Sequence, residues 1–347
     1  MIKFFRKIRY DLMKKNKTGK YLKYAIGEII LVMIGILLAL QVNNWNEKRK
    51  ISNTIESLFS VFENELENNI RESNSLIRRG YDIDSLNIRF ITNKMTREDL
   101  LKDSRMFLEF STSTRDFIDD NLDALIGLEK ELPNKYVALV PELKLLKARI
   151  ESQRKWEKAV VEISMARKKE MADQLPTLFL TDSISIEKNI EFCLTDPIFK
   201  SKVLHYNEYD LGENTWDASL IRTSAVALLW KIKTLRNDVD TSLDDLLKSG
   251  GLKPFQELDC GAFPIETIEK TGFRLNCILY NNSDSEVFYN VLDTKGKVLN
   301  SRKLSVAPKS FILNEYSLSE SRLIQVIDND TCKKIYRRLK QDYIIMN

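Results

Sequence analysis

Apolar residues run almost unbroken from Ala25 to Val42 (AIGEIILVMIGILLALQV), with Glu28 and Gln41 the only strongly polar members. As a helix this stretch spans roughly 27 Å, about the thickness of a bilayer core. Tyr21 and Tyr24 precede it and Trp45 follows, where interfacial aromatics are expected. The pattern predicts a single transmembrane helix over 25–45, after a basic segment at 1–24. Downstream, Ile51, Ile55, Leu58, Phe62, Leu66, Ile70 and Ile77 recur at helical steps, so the helix is expected to continue as a stalk to about Ile83.

Helical spacing persists to about residue 250. Thr96-Arg97-Glu98-Asp99 has the form of a capping box with Asp in place of Glu. The run DFIDDNLDALIGLEKEL then reads as helix up to Pro133-Asn134, and Pro141 opens a long charged helix to about Gln174, with Leu143, Leu146, Ile150, Trp156, Val160 and Ile163 inward. Further helices follow Ser185 and Asp196-Pro197, and another is expected from Trp216 to about Leu247. Long helices joined by short polar loops predict an antiparallel helical bundle over 46–250. Gly250-Gly251 and Pro254 then mark a boundary.

After Pro254 the period changes to two. Phe273, Leu275, Cys277 and Leu279 alternate with Arg274, Asn276 and Ile278, and Val287, Tyr289 and Val291 repeat the pattern before an Asp293–Gly296 turn. Phe311–Leu313, Leu323–Ile327 and Lys334–Leu339 add strand candidates. The expected fold is therefore mainly α: a transmembrane helix, a helical bundle, and a small antiparallel β-sandwich-like domain over 255–347.

Composition sharpens this picture. With 43% hydrophobic and 30% charged residues, and only 11 Gly and 7 Pro in 347, the chain is a folded, helix-rich protein. The net charge of +4 conceals an asymmetry. Residues 1–24 carry nine Lys/Arg against Asp11 alone, so the remainder is net acidic. By the positive-inside rule this places the N-terminus in the cytoplasm and the bulk of the chain outside. The rule accounts for the basic segment without a nucleic-acid partner. The apolar run is longer than a signal-peptide h-region, and Ala39-Leu40-Gln41 is a poor cleavage site, so an uncleaved anchor is expected. Ile2, Phe5, Ile8 and Leu12 make the opening a basic amphipathic helix suited to an anionic inner leaflet.

Within the membrane helix, Gly27, Leu31, Gly35 and Ala39 share one face, and Gly35-x-x-x-Ala39 is a small-xxx-small pattern that allows close approach of a second copy. Glu28 sits about one turn inside the cytoplasmic edge and is a candidate contact to a partner.

The segment KYLKYAIGEIILVMIGILLALQVNNWNEKRK, preceded by KFFRKIR, resembles the N-terminal signature of a Bacteroidota family of uncharacterised single-pass proteins, a domain of unknown function. The likeness covers about the first fifty residues and rests on Tyr24–Glu28 and Asn43–Glu47. It implies a bacterial inner-membrane protein facing the periplasm, and supplies no activity, cofactor or catalytic residue.

The four cysteines, Cys193, Cys260, Cys277 and Cys332, all fall on the expected exported side, where disulfides persist. Cys260, Cys277 and Cys332 cluster near the C-terminus and are candidates for one bridge with its pairing open, the alternative being reduced cysteines buried as small apolar groups. No C-x-x-C, H-E-x-x-H, G-x-G-x-x-G or Walker pattern occurs, and His205 is the only histidine. Asp119-Asp120-Asp123 and Asp244-Asp245 read as solvated helix faces, and the ligand spacing of a calcium loop is missing. No catalytic residue, cofactor or metal site is expected. The chain reads as a membrane-anchored module that binds a ligand or envelope protein, with a structural or assembly role through the β-rich region as the alternative.

Overall fold

No proline interrupts the chain from Thr18 to Ile91, and this whole segment forms one helix, α1 (Thr18–Ile91), in the computed structural model. The structure describes residues 10, 18–102, 115–178, 180–237, 242–263, 275–312, 317–318, 322–337 and 341–346. Most of the basic segment, and Phe273, Leu313 and Arg338–Leu339 of the expected strands, lie outside the described residues. Helix α1 runs past Ile83 because its stripe continues through buried Ile83 and Phe90; Asn93, at φ 56°, turns the chain out of it.

Two compact units divide the chain: Met1–Leu58 with Lys130–Pro133, and Phe59–Glu129 with Asn134–Asn347. In the first, every residue of α1 from Ile29 to Trp45 is exposed. This is the one helix among the described residues long and apolar enough to cross a membrane, with a mean hydropathy of 2.4 in its most apolar window. Arg49 stacks on the Trp45 ring at 5.5 Å.

In the second unit, α1 buries Phe59, Phe62, Leu66, Ile70 and Ile77. The Thr96 box forms: Thr96 N–H donates to Asp99 Oδ2 (3.0 Å) and Asp99 N–H to Thr96 Oγ1 (3.3 Å), starting α2 (Arg97–Lys102). Two short helices, α3 (Asp120–Gly127) and α4 (Asn134–Val137), lead into α5 (Val140–Gln174), which buries Leu143, Leu146, Ile150 and Val160. Trp156 is half-buried and Ile163 exposed, because the buried row of α5 passes through Ser164 and Met171 instead.

Asp182 caps α6 (Ser183–Thr195) and Asp196 caps α7 (Pro197–His205), each carboxylate accepting an orphan N–H of the first turn. A π-helical turn, Tyr206–Leu211, joins α7 directly to α8 (Gly212–Leu235), which packs along α5. The helix expected to reach Leu247 ends at Leu235. Ser242 caps a separate α9 (Leu243–Ser249), closed by Gly251 at φ 78°. One core of these helices gathers Leu76, Tyr81, Phe90, Phe199, Tyr206 and Ala218.

Ten short strands follow among the described residues: β1 (Gln256–Leu258), β2 (Leu275–Asn276), β3 (Ile278–Asn281), β4 (Val287–Leu292), β5 (Leu304–Val306), β6 (Phe311–Ile312), β7 (Ser317–Leu318), β8 (Leu323–Asp328), β9 (Thr331–Arg337) and β10 (Tyr343–Met346). They form a five-stranded sheet ordered β1-β9-β8-β4-β5, a three-stranded sheet β10-β3-β6, and the pair β2-β7. Leu279, Ile344 and Met346 of the three-stranded sheet share a core with Tyr289, Val306, Ile324, Val326 and Tyr336 of the five-stranded one. The two sheets thus pack face to face. The expectation of a purely antiparallel sandwich is corrected, since β10 runs parallel to β3 (Tyr343↔Ile278 to Met346↔Asn281). Parallel pairing needs a long return connection, and the strands from β4 to β9 supply it.

Gly250-Gly251 does not separate two compact units; the helices from Phe59 and all the strands fall in one. A buried ion network explains this. Arg222 on α8 (1% exposed) donates to Asp342 Oδ1 at 2.8 Å and to Asn74 Oδ1 at 2.7 Å. Arg78 on α1 pairs with the other Asp342 oxygen, and Lys253 N–H donates to it at 2.9 Å. Burial works against the Asp342 charge, yet Arg222 and Arg78 hold its carboxyl below the usual range.

Candidate functional site

Where β1 begins, the chain changes sheets. Phe255 N–H donates to Tyr343 O (2.9 Å) beside β10, and three residues later Leu258 is paired with Ile335 on β9. This departure opens a cleft of about 480 Å³ between the two sheets and α9. That volume lies in the range of small-ligand and peptide sites. Its floor is β10, from Tyr343 to Met346, and its walls are Trp230 of α8, Phe255, and Lys333, Lys334 and Tyr336 of β9. Strand alternation puts Ile344 and Met346 into the sheet core, leaving half-exposed Ile345 beside the opening.

The charged groups around this cleft are engaged. Tyr343 Oη donates to Asp244 Oδ1 at 2.6 Å, and Lys248 Nζ to Asp244 Oδ2 at 2.6 Å. Lys248, and then the Tyr343 hydroxyl, hold the Asp244 carboxyl below its ordinary value. Burial, reinforced by the Asp244 carboxylate, pushes the Tyr343 phenol upward. Burial likewise raises Tyr336. Lys334 pairs with Glu257 at 2.8 Å, which raises the Lys334 ammonium, and Lys333 also has a partner. The cleft therefore offers aromatic walls, the Lys334–Glu257 pair and, among the described residues, one hydroxyl–carboxylate contact, Tyr343–Asp244.

The sequence-chosen residues lie elsewhere. Gly27, Glu28, Gly35 and Ala39 belong to the exposed apolar part of α1; a Cβ at Gly27 or Gly35 would meet open space, and Glu28 is half-exposed with a polar partner. Of the three C-terminal cysteines, Cys260 and Cys332 are joined in a disulfide, tying the loop after β1 to β9. Cys277 is buried in the sheet core, and Cys193 in the helical core, where burial pushes its thiol upward. His205 is exposed and its Nδ1 lies 2.8 Å from Arg167 Nη2. Asp119 is held by Arg154 (2.7 Å) and Lys147 (2.8 Å). Trp216 and Trp230 are half-buried on α8, and only Trp230 reaches the cleft.

Sequence reasoning missed the cleft because β1, β10 and the start of β9 carry no alternation long enough to announce a strand. The one available signal was Asn329-Asp330, a two-residue loop with φ 45° and 64° that makes β8 and β9 a tight hairpin. Comparison with protein-family models, curated proteins and solved structures returned no match.

Proposed function

We propose that this protein is a single-pass, membrane-anchored binding module of the bacterial envelope. Its basic head lies in the cytoplasm, Ala25–Val42 crosses the inner membrane, and the remainder faces the periplasm. The observation that carries the binding role is the aromatic-walled cleft between α9 and the two sheets, where Asp244 is bonded to Tyr343 and Lys334 is paired with Glu257. Such a cleft suits recognition, its walls being aromatic and aliphatic with a few oriented polar groups. The anchor tethers the module to the inner membrane, and Gly35 and Ala39 provide a face for pairing with a second copy.

The test is a photo-crosslinking side chain placed at Lys333, with Lys295 in the β4–β5 turn as the control position. Irradiation of intact cells is expected to give a discrete adduct from position 333 and none from 295. Identical labelling from both positions, or no adduct from either, would refute a binding role for the cleft.

A further inference from the structure

The edge of β10 inside the cleft carries backbone groups that its own fold leaves unused. Asp342 O accepts from Ile278 N–H (2.9 Å) and Met346 O from Asn282 N–H (2.8 Å), so the even-numbered residues of β10 turn their backbone groups toward β3. Those of the odd-numbered residues point the other way. Tyr343 finds Lys253 and Phe255 there, with a parallel bridge to Pro254. At Ile345 the chain that supplied those partners has already left for β9. Among the described residues, Ile345 N–H and C=O have no backbone partner, and β10 has no strand on that side. A strand position beside β10 is thus begun by Lys253–Phe255 and then vacated, and the vacated part is the cleft.

The geometry points to an extended peptide segment of a partner protein as the occupant, added as a strand along β10. The chemistry of the cleft selects this class. Of the charged groups lining it, Asp244 is bonded to Tyr343 and Lys248, Glu257 and Lys334 are paired with each other, and Lys333 has a partner, so the site is not built around a free counter-charge for a charged small molecule. The groups that remain are one N–H and one C=O on a strand edge, which another extended backbone complements. Trp230, Val326 and Tyr336 stand where alternate side chains of that segment would pack, so these are expected to be aliphatic or aromatic.

This inference rests on the binding role of the cleft, and the experiment separates the two. The full-length protein in lipid nanodiscs is used to select from a displayed library of random heptapeptides, and a selected peptide is then synthesised. Ile345→Pro removes the outward N–H while sparing the bonds to β3, a substitution an edge strand tolerates. Trp230→Ala removes a wall. Both are expected to weaken peptide binding by about tenfold or more, with Ile345→Pro melting as the wild type does. On the wild-type protein, backbone N-methylation of the peptide should abolish binding at one position, the residue whose N–H meets Ile345 C=O, and be tolerated at its two neighbours, a readout independent of the variant's folding. If Trp230→Ala weakens binding but Ile345→Pro does not, or if no single N-methylation abolishes binding, strand addition is overturned and the cleft remains a binding site. If no peptide is selected, or neither substitution changes binding, strand addition is overturned and the cleft loses its support as a peptide site.

Discussion

Replacing Asp342 by alanine removes the one carboxylate on which α1, α8 and the start of β10 converge. Arg222, at 1% exposure, would then keep Asn74 as the hydrogen-bond partner for its charge among the described residues, and Lys253 N–H would lose its acceptor. Breaking a buried pair by deleting one member costs about 3–5 kcal/mol, because the surviving charge stays desolvated. At roughly 2–4 °C per kcal/mol for a unit of this size, the melting temperature should fall by about 6–20 °C. Arg78→Gln should cost only about 1 kcal/mol, since that guanidinium is 31% exposed and can be rehydrated. The double variant Arg222→Met, Asp342→Leu removes both charges, and should be more stable than Asp342→Ala alone. The pH dependence follows from the lowered carboxyl. Its contribution is complete above the unfolded value of about 3.9 and is lost as pH falls through the lower folded value, so the wild type should lose stability on acidification more steeply than Asp342→Asn. Circular dichroism melts of the full chain in detergent measure all of these. A shift below about 2 °C for Asp342→Ala, or a double variant no more stable than Asp342→Ala, would refute the argument that this network holds helices and sheets together.

Removing the disulfide with Cys260→Ser opens a loop of 72 residues and should cost about 4 kcal/mol in the chain-entropy account, read as a lower melting temperature; non-reducing peptide mapping should recover the Cys260–Cys332 pair and free thiols at Cys193 and Cys277. Asp196→Ala deletes the N-cap of α7 and should cost about 1 kcal/mol in the same melts. Tyr343→Phe removes the 2.6 Å bond to Asp244 and should cost about 1 kcal/mol; no change would mean that the hydroxyl is equally well solvated without that carboxylate.

The helical part of the chain was legible because it rests on local signals. An apolar run of membrane length, a Thr-Arg-Glu-Asp box and Pro141 mark α1, α2 and α5 whatever surrounds them. The seamless passage from Pro197 through the π turn to Leu235 was not, because Gly212 reads locally as a break and only packing of Tyr206, Leu211 and Ala218 into the helical core keeps the helix going. The strand content showed where alternation was long, at Val287–Leu292 and Leu323–Asp328. It stayed hidden at Gln256–Leu258 and Tyr343–Met346, which are short and take their conformation from distant partners. The cleft is built from those two segments, so it lies in tertiary pairing and not in any motif. The same holds for Arg222 and Asp342, 120 residues apart, which nothing local connects.

The account depends most on the chain crossing the membrane once, with its cleft outside the cytoplasm. Fusing alkaline phosphatase behind Asn347, and in parallel a fluorescent protein that matures only in the cytoplasm, measures this directly. The account predicts an active phosphatase and a dark fluorophore. A bright fluorophore with an inactive phosphatase would contradict it.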